Sequence, residues 1–233
     1  MINKNNNLIS VVIATLGGTS LQETINSINN SSIRIAEIIV IIPRKYKYRI
    51  NNLKAQNLRI AFSNVKGQVH QRCEGFKLCN YEYVIQLDDD IILDTDCIET
   101  LLLASYDMPP NSAFSPSLYF LNTKTSVYER NLPLSFKFKF YYLILNGYNG
   151  YKEGEITKAG TEIGINSKGQ NRKIIESKWL PGGMILHKKR NLVLHDYFQF
   201  NGKAYCEDLY HSFELREKGI NLYIVLDSIA FIN

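Results

Sequence analysis

The chain has 233 residues, 45% of them hydrophobic and 21% charged, enough to bury a core without disulfides or a structural metal. These proportions exclude a disordered chain, apart from the polar start at residues 1–7. The net charge of +5 is scattered along the chain, which argues against nucleic acid as a partner and suits a phosphorylated substrate or an anionic membrane surface.

The denser basic stretches are Arg44-Lys45-Tyr46-Lys47-Tyr48-Arg49, Phe136-Lys137-Phe138-Lys139-Phe140 and His187-Lys188-Lys189-Arg190. Cys73, Cys79, Cys97 and Cys206 have neither Cys-x-x-Cys spacing nor a neighbouring His to complete a zinc pattern. Reduced thiols in a cytoplasmic protein are expected. The start lacks the apolar core of a secretory leader, and no apolar run approaches the ~20 residues of a spanning helix. The expected location is the cytoplasm, with peripheral contact at the inner face of the membrane.

The Val- and Ile-rich run Leu8 to Ala14 predicts a buried strand, broken by Thr15-Leu16-Gly17-Gly18-Thr19. Leu21, Ile25 and Ile28 recur at helical spacing up to Asn29-Asn30-Ser31-Ser32. Further strands are predicted at Ile38 to Ile42, stopped by Pro43, at Leu58 to Phe62 and at Tyr83 to Leu87. Val69, Cys73 and Phe76 mark one helix face; Ile98, Leu101 and Leu102 mark another, closed by Pro109-Pro110. Strands that are apolar throughout and alternate with helices predict a parallel sheet covered on both faces. Residues 1–107 therefore read as a doubly wound nucleotide-binding half, with ligands beyond the carboxyl ends of its strands.

Residues 108–233 are less regular. Ala113 to Leu121 suits a strand, and Leu134 to Leu145, with its Phe-Lys alternation, suits a strand or a membrane-surface segment. Residues 147–170 read as a glycine-rich loop. A helix is predicted from Glu207 to Lys218, opening with acids and ending at Gly219, followed by a last strand from Leu222 to Leu226.

Three features carry chemistry. Asp88-Asp89-Asp90 follows the strand Tyr83 to Leu87. Clustered carboxylates raise one another's pKa unless a cation neutralises them, and such oxygen ligands suit Mg²⁺ or Mn²⁺ bridged to a diphosphate. A solvated acidic turn has the same composition. Glu207-Asp208 heads a helix, either as dipole partners or with one carboxylate accepting a proton from an attacking hydroxyl. In Trp179-Leu180-Pro181-Gly182-Gly183-Met184 the glycines permit close approach to a ligand, and Trp179 either faces a sugar or packs in the core.

In this order the three features resemble the family 2 glycosyltransferases, inverting enzymes of the GT-A fold, from Ile9 to about Asp227. Ser10 to Thr15 is similar to the family's opening strand and turn, which implies Ala14 and Thr15 at the nucleotide. Leu21 to Ser32 and Glu37 to Val40 are similar to its first helix and second strand. Lys66 to Arg72 resembles the segment before the acidic motif, which implies Lys66 and Arg72 beside the donor. Asp88-Asp89-Asp90 resembles the DxD motif: Asp88 and Asp90 for the metal, Asp88 and Asp89 for the donor. Gly182, Gly183 and Trp179 would face the acceptor. Glu207-Asp208 resembles the ED motif, with Asp208 as base and Glu207 orienting.

The resemblance implies an α/β fold of GT-A type: a Rossmann-like, mostly parallel central sheet flanked by helices in a single compact domain. Residues 1–107 would form its nucleotide-sugar-binding half and 108–233 its acceptor-binding half. The implied activity is metal-dependent transfer, with Mn²⁺ or Mg²⁺, from a UDP-sugar to a hydroxyl of a glycan or lipid-linked glycan in bacterial surface polysaccharide or glycoconjugate synthesis. The sequence departs from the family at Ala14, where Pro is common. It departs again at Ile42-Pro43-Arg44, where an Asp usually meets the base. Two rivals use similar residues. A haloacid-dehalogenase-like phosphatase needs its Asp-x-Asp on the first strand with Thr or Val following, and Ile91-Ile92 does not fit. A carbohydrate- or calcium-binding module would use the same acids without catalysis.

Overall fold

A computed structural model describes residues 8–129, 135–167, 170–199 and 204–233, and arranges them around one nine-stranded sheet. The strands are β1 (Ile9–Ala14), β2 (Glu37–Pro43), β3 (Leu58–Ser63), β4 (Tyr83–Leu87), β5 (Ile91–Leu93), β6 (Ser112–Phe120), β7 (Ile174–Glu176), β8 (Met184–Lys188) and β9 (Asn221–Ile232). The helices are α1 (Leu21–Asn29), α2 (Gln68–Leu78), α3 (Cys97–Asp107), α4 (Phe136–Asn146) and α5 (Glu207–Glu217), with short 3-10 turns between some elements.

The sheet runs β3-β2-β1-β4-β8-β6-β9-β5, with β7 also on β9. Strands β1 to β4 are mutually parallel, and β6 is parallel to β9. Strand β8 sits antiparallel between β4 and β6, and β5 and β7 lie antiparallel on β9. This is the mostly parallel sheet anticipated. Every residue of β1 is buried, as a strand covered on both faces requires. On one face Leu21, Ile25 and Ile28 of α1 join Ile9, Val11 and Ile13 in the main core. On the other, α2 lies close to the sheet at Gly75, where a Cβ would stand 2.4 Å from Val12 and 3.0 Å from Ile41. Only a residue without a side chain allows that approach. Because β1 leads outward to β2 and β3 before the chain returns to β4, a crevice opens beyond the carboxyl ends of β1 and β4.

Two expectations need correction. Leu134 lies outside the described residues, but Phe136–Asn146 is a helix and not a strand. The Phe-Lys alternation stops at Phe140, and the run from Tyr141 to Asn146 does not continue it. Ser135 caps the first turn, accepting a hydrogen bond from the Phe138 amide at 3.5 Å, and Gly147 closes the helix at φ +61°. The last strand is also longer than the apolar run suggested. Strand β9 continues to Ile232 because β6 supplies partners on both sides of a register shift at Pro116/Ser117. The short β5 and β7 were not anticipated; three residues leave too little pattern. Helix α5 ends as expected at Gly219, φ +72°. Among the described residues no helix is long and apolar enough to cross a membrane.

Candidate active site

Strand β4 delivers Asp88 to the crevice, and its amide donates to the Gly183 carbonyl at 2.9 Å, tying the acidic turn to the loop before β8. One carboxylate oxygen of Asp88 accepts from Arg72 Nη2 at 2.6 Å and from Gln68 Nε2 at 3.1 Å, both on α2. Arg72 is itself buried, and its Nη1 lies 2.7 Å from Glu207 Oε2 at the head of α5. The other oxygen of Glu207 accepts from Tyr197 Oη at 2.5 Å. A continuous charged bridge therefore joins the end of β4 to the start of α5.

The charges on this bridge fix one another. Burial alone would lower the Arg72 pKa, but Glu207 and then Asp88 outweigh it and hold the guanidinium above its ordinary value. Withdrawal from water lifts Asp88 to about 6, against the pull of Arg72. Burial, and then the Glu207 carboxylate, raise Tyr197, so it stays protonated and donates.

The next two acids have different surroundings. Thr15 Oγ1 donates to Asp89 Oδ2, and the Gly18 amide donates to the same oxygen at 3.3 Å. Thr15 is in turn held by the Gly17 amide at 2.8 Å, and Thr24 donates to the Asp89 carbonyl at 3.0 Å. Asp89 is thus built into the turn after β1. Asp90 is exposed and lines a cleft of about 300 Å³ shared with Asp88, Gly182, Glu207, Asp208 and Tyr128. Partial withdrawal of its carboxyl from water, and then the neighbouring Asp89, raise its pKa. Asp208 is partly buried on the same cleft; burial first, then Glu207, raise its carboxyl above the usual range, which makes it a stronger base than a free aspartate. Gly182 lets these groups converge: a Cβ there would lie 3.3 Å from Asp208 Cβ and 3.3 Å from Glu207 Oε2.

Asp88, Asp90, Gly182, Gly183, Glu207 and Asp208 therefore meet in one cleft, although 120 residues separate Asp88 from Asp208 (208 − 88 = 120). Ala14 ends β1 as a buried residue, and Thr15 is buried against Asp89. Three expectations change. Arg72 does not reach open solvent; it braces two acids from below. Lys66 is exposed ahead of α2 and is not among the cleft's lining residues. Trp179 is buried, its indole donates to the Ile163 carbonyl at 3.2 Å, and Tyr128 stands edge-on to it at 5.8 Å. Trp179 packs in the core, and among the described residues the aromatic ring lining the cleft is Tyr128. Gln68, Tyr128 and Tyr197 were missed. Gln68 had a usable signal, one turn before Arg72 on the same helix face; the two tyrosines had none.

The cleft fits a small divalent cation in a particular way. Among the described residues no group of three or more His, Cys, Asp or Glu side chains is arranged to hold a metal. One oxygen of Asp88 and one of Asp89 are already engaged, and Asp88 and Asp90 line the cleft. Mg²⁺ and Mn²⁺ are commonly bound by one or two carboxylates, with water and substrate phosphates completing the shell.

Beyond β2, Arg49 donates to the Leu16 carbonyl at 3.2 Å and lies 4.8 Å over the Tyr46 ring. Its Cβ closes on Gly17, which adopts φ +81° in the turn after β1.

Comparison with known proteins agrees with this architecture. The model of glycosyl transferase family 2 matches residues 10–161. No curated protein matches the chain. Among solved structures, GalNAc-T7 with UDP, GalNAc and Mn²⁺ superposes with a TM-score of 0.66 at 16% identity, over 96% of this chain and 42% of that one. TarS 1-349 of S. aureus superposes with a TM-score of 0.57 at 13% identity, over 97% of this chain and 60% of that one. The chain thus spans less than two thirds of either relative, and at these identities the likeness is one of fold, the GT-A fold. With more than half of its length matched by the family model and the acidic motifs meeting in one cleft, the chain belongs to glycosyl transferase family 2, the glycosyltransferases.

Proposed function

We propose that the chain transfers a sugar from a UDP-sugar to an acceptor hydroxyl with inversion, in bacterial surface polysaccharide or glycoconjugate synthesis. The observation that carries this reading is the division of labour between adjacent acids. Glu207 is locked by Arg72 and Tyr197, whereas Asp208 presents a carboxylate of raised pKa to the cleft that Asp88 and Asp90 also line. The structure of GalNAc-T7 with UDP and Mn²⁺ supports the choice of donor and cofactor by likeness of fold.

In this reading the acceptor oxygen attacks the anomeric carbon as the bond from that carbon to the diphosphate oxygen breaks. Asp208 takes the hydroxyl proton, and UDP departs with the bonding pair. Asp90, with the second oxygen of Asp88, would hold Mn²⁺ or Mg²⁺, whose chemistry is to neutralise charge on the leaving diphosphate. Arg72 keeps Asp88 and Glu207 at fixed separation, so little reorganisation is needed when charge develops. The turn from Thr15 to Gly18, pinned by Asp89, would cradle the nucleotide, and residues 108–233 would supply the acceptor side.

The test is UDP release from a panel of UDP-sugars with Mn²⁺, with GDP- and CMP-sugars as controls. Turnover of a UDP-sugar that depends on Mn²⁺ or Mg²⁺ is expected. Turnover confined to another nucleotide would overturn the donor assignment, and retention at the anomeric carbon would overturn the single displacement.

A further inference from the structure

Helix α4 turns almost all of its apolar surface to solvent. Its two buried residues, Tyr142 and Asn146, stand one turn apart and attach it to the following loop. Tyr142 packs on the Tyr151 ring at 4.9 Å; Asn146 donates to the Gly150 carbonyl at 2.8 Å and accepts from the Lys158 amide at 3.3 Å. On the opposite side Phe136, Phe140, Leu143 and Ile144 recur at i, i+4, i+7 and i+8, with exposures of 82%, 55%, 45% and 68%. A stripe of this kind on a soluble protein's surface marks an interaction site.

The charge around the stripe indicates what covers it. Helix α4 itself carries Lys137 and Lys139 and no acidic residue, while Lys152 beyond it is paired with Glu155 at 2.6 Å. By helical spacing Lys137 lies at one border of the stripe, next to Ile144, and Lys139 beyond the other, where a lysine stem can run along apolar surface and lift its ammonium to a phosphate. Exposed aromatic and aliphatic residues beside lysines, with Phe138 and Tyr141 also exposed off the stripe, suit a helix lying in a bilayer interface. At about 1.5 Å per residue, 11 residues reach roughly 16 Å, half the hydrocarbon thickness, so α4 can lie on a bilayer but not span it.

The segment that follows α4 also reaches a residue of the cleft. The segment holding α4 runs on to Ile163, whose carbonyl binds Trp179, and to Gly164, which packs against the Tyr128 ring. Tyr128 lines the cleft beside Asp208.

We propose that α4 docks on an anionic lipid bilayer, with Phe136, Phe140, Leu143 and Ile144 in the headgroup–acyl boundary and Lys137 and Lys139 on lipid phosphates. Resting on the reading of Asp208 as the acceptor-side base, such docking would hold the chain at the surface that carries a lipid-linked acceptor.

Co-sedimentation of the full chain with vesicles tests the docking without any transfer reaction. At low salt the chain should partition into phosphatidylglycerol–phosphatidylcholine vesicles at least tenfold more than into phosphatidylcholine alone, and high salt should weaken this. Lys137→Ala/Lys139→Ala should lose roughly 30-fold on the anionic vesicles. Phe140→Ser/Ile144→Ser should lose binding to them by tenfold or more, while circular dichroism and UDP binding stay as in the parent. Equal binding to neutral and anionic vesicles, or double variants that bind like the parent, would overturn the proposal. A dimer in sedimentation equilibrium that Phe140→Ser/Ile144→Ser abolishes would assign the face to a second copy and overturn it equally. Failure of vesicle binding with UDP-sugar turnover intact removes the docking alone; the converse removes the transfer reading alone.

Discussion

Arg72 Nη1 lies 2.7 Å from Glu207 Oε2, while the same guanidinium reaches Asp88 at 2.6 Å, so one buried cation holds together acids 119 positions apart (207 − 88 = 119). Removing one partner from a buried ion pair leaves uncompensated charge, typically at a cost of about 3–5 kcal/mol. Arg72→Ala should therefore lower the unfolding midpoint by roughly 10 °C and abolish transfer, as differential scanning calorimetry and a UDP-release assay would read. An Arg72→Ala protein as stable as the parent would show that the bridge has no structural weight.

The adjacent acids of α5 should separate in kinetics. Asp208→Asn preserves size but removes basicity, so kcat should fall about 10² to 10⁴-fold with UDP affinity nearly unchanged. Glu207→Gln weakens the bridge to Arg72 and should act more mildly on kcat and more strongly on stability. A larger loss of turnover in Glu207→Gln than in Asp208→Asn would move the base to Glu207.

The metal reading makes Asp90 the residue to test. UDP should bind more tightly with Mn²⁺ or Mg²⁺ present, and chelation should remove that gain. Asp90→Asn should remove most of it, since Asp88 and Asp89 each have an oxygen engaged. Titration calorimetry that finds equal metal-dependent affinity in parent and variant would rule out Asp90 as a ligand.

Stability should fall in mild acid because of His187 and His211. Both are buried, 5.6 Å apart, and neither has a hydrogen-bond partner at a ring nitrogen among the described residues. Burial first, then His211, Arg72 and Lys218, push His187 well below its ordinary pKa; burial, Arg72 and Lys218 push His211 down to about 3. Above about pH 6.5 both states hold these rings neutral, so they contribute no slope there. Below it the unfolded chain takes up protons that the folded chain refuses, so stability drops as pH falls from 6.5 towards 3. The slope should approach about 1.4 kcal/mol per pH unit for each ring. Urea denaturation between pH 7.5 and 5 would measure it, and His211→Phe should flatten part of it. An unchanged profile in that variant would move the acid sensitivity elsewhere.

The first half of the fold was legible because its signals are local. Tyr83–Leu87 is a strand in sequence and in space, and α1 and α2 follow the spacing of Leu21, Ile25 and Ile28 and of Val69, Cys73 and Phe76. The second half hid its elements. Phe136 to Phe140 alternated like a strand but joined a helix, since capping by Ser135 and the longer run to Asn146 outweighed five alternating residues. The length of β9 depends on β6, which no local pattern reports.

The sequence by itself determined the sheet of the first half, the order of its acidic motifs and the helix that begins at Glu207, because hydrophobic period and capping chemistry act over a few neighbouring residues. Tertiary structure alone decided what those motifs do to one another. It buried Trp179, put Tyr128 on the cleft, and set Arg72 as the brace between Asp88 and Glu207. The physical reason is that burial and charge pairing are set by distances across the sheet, between residues that chain order keeps far apart.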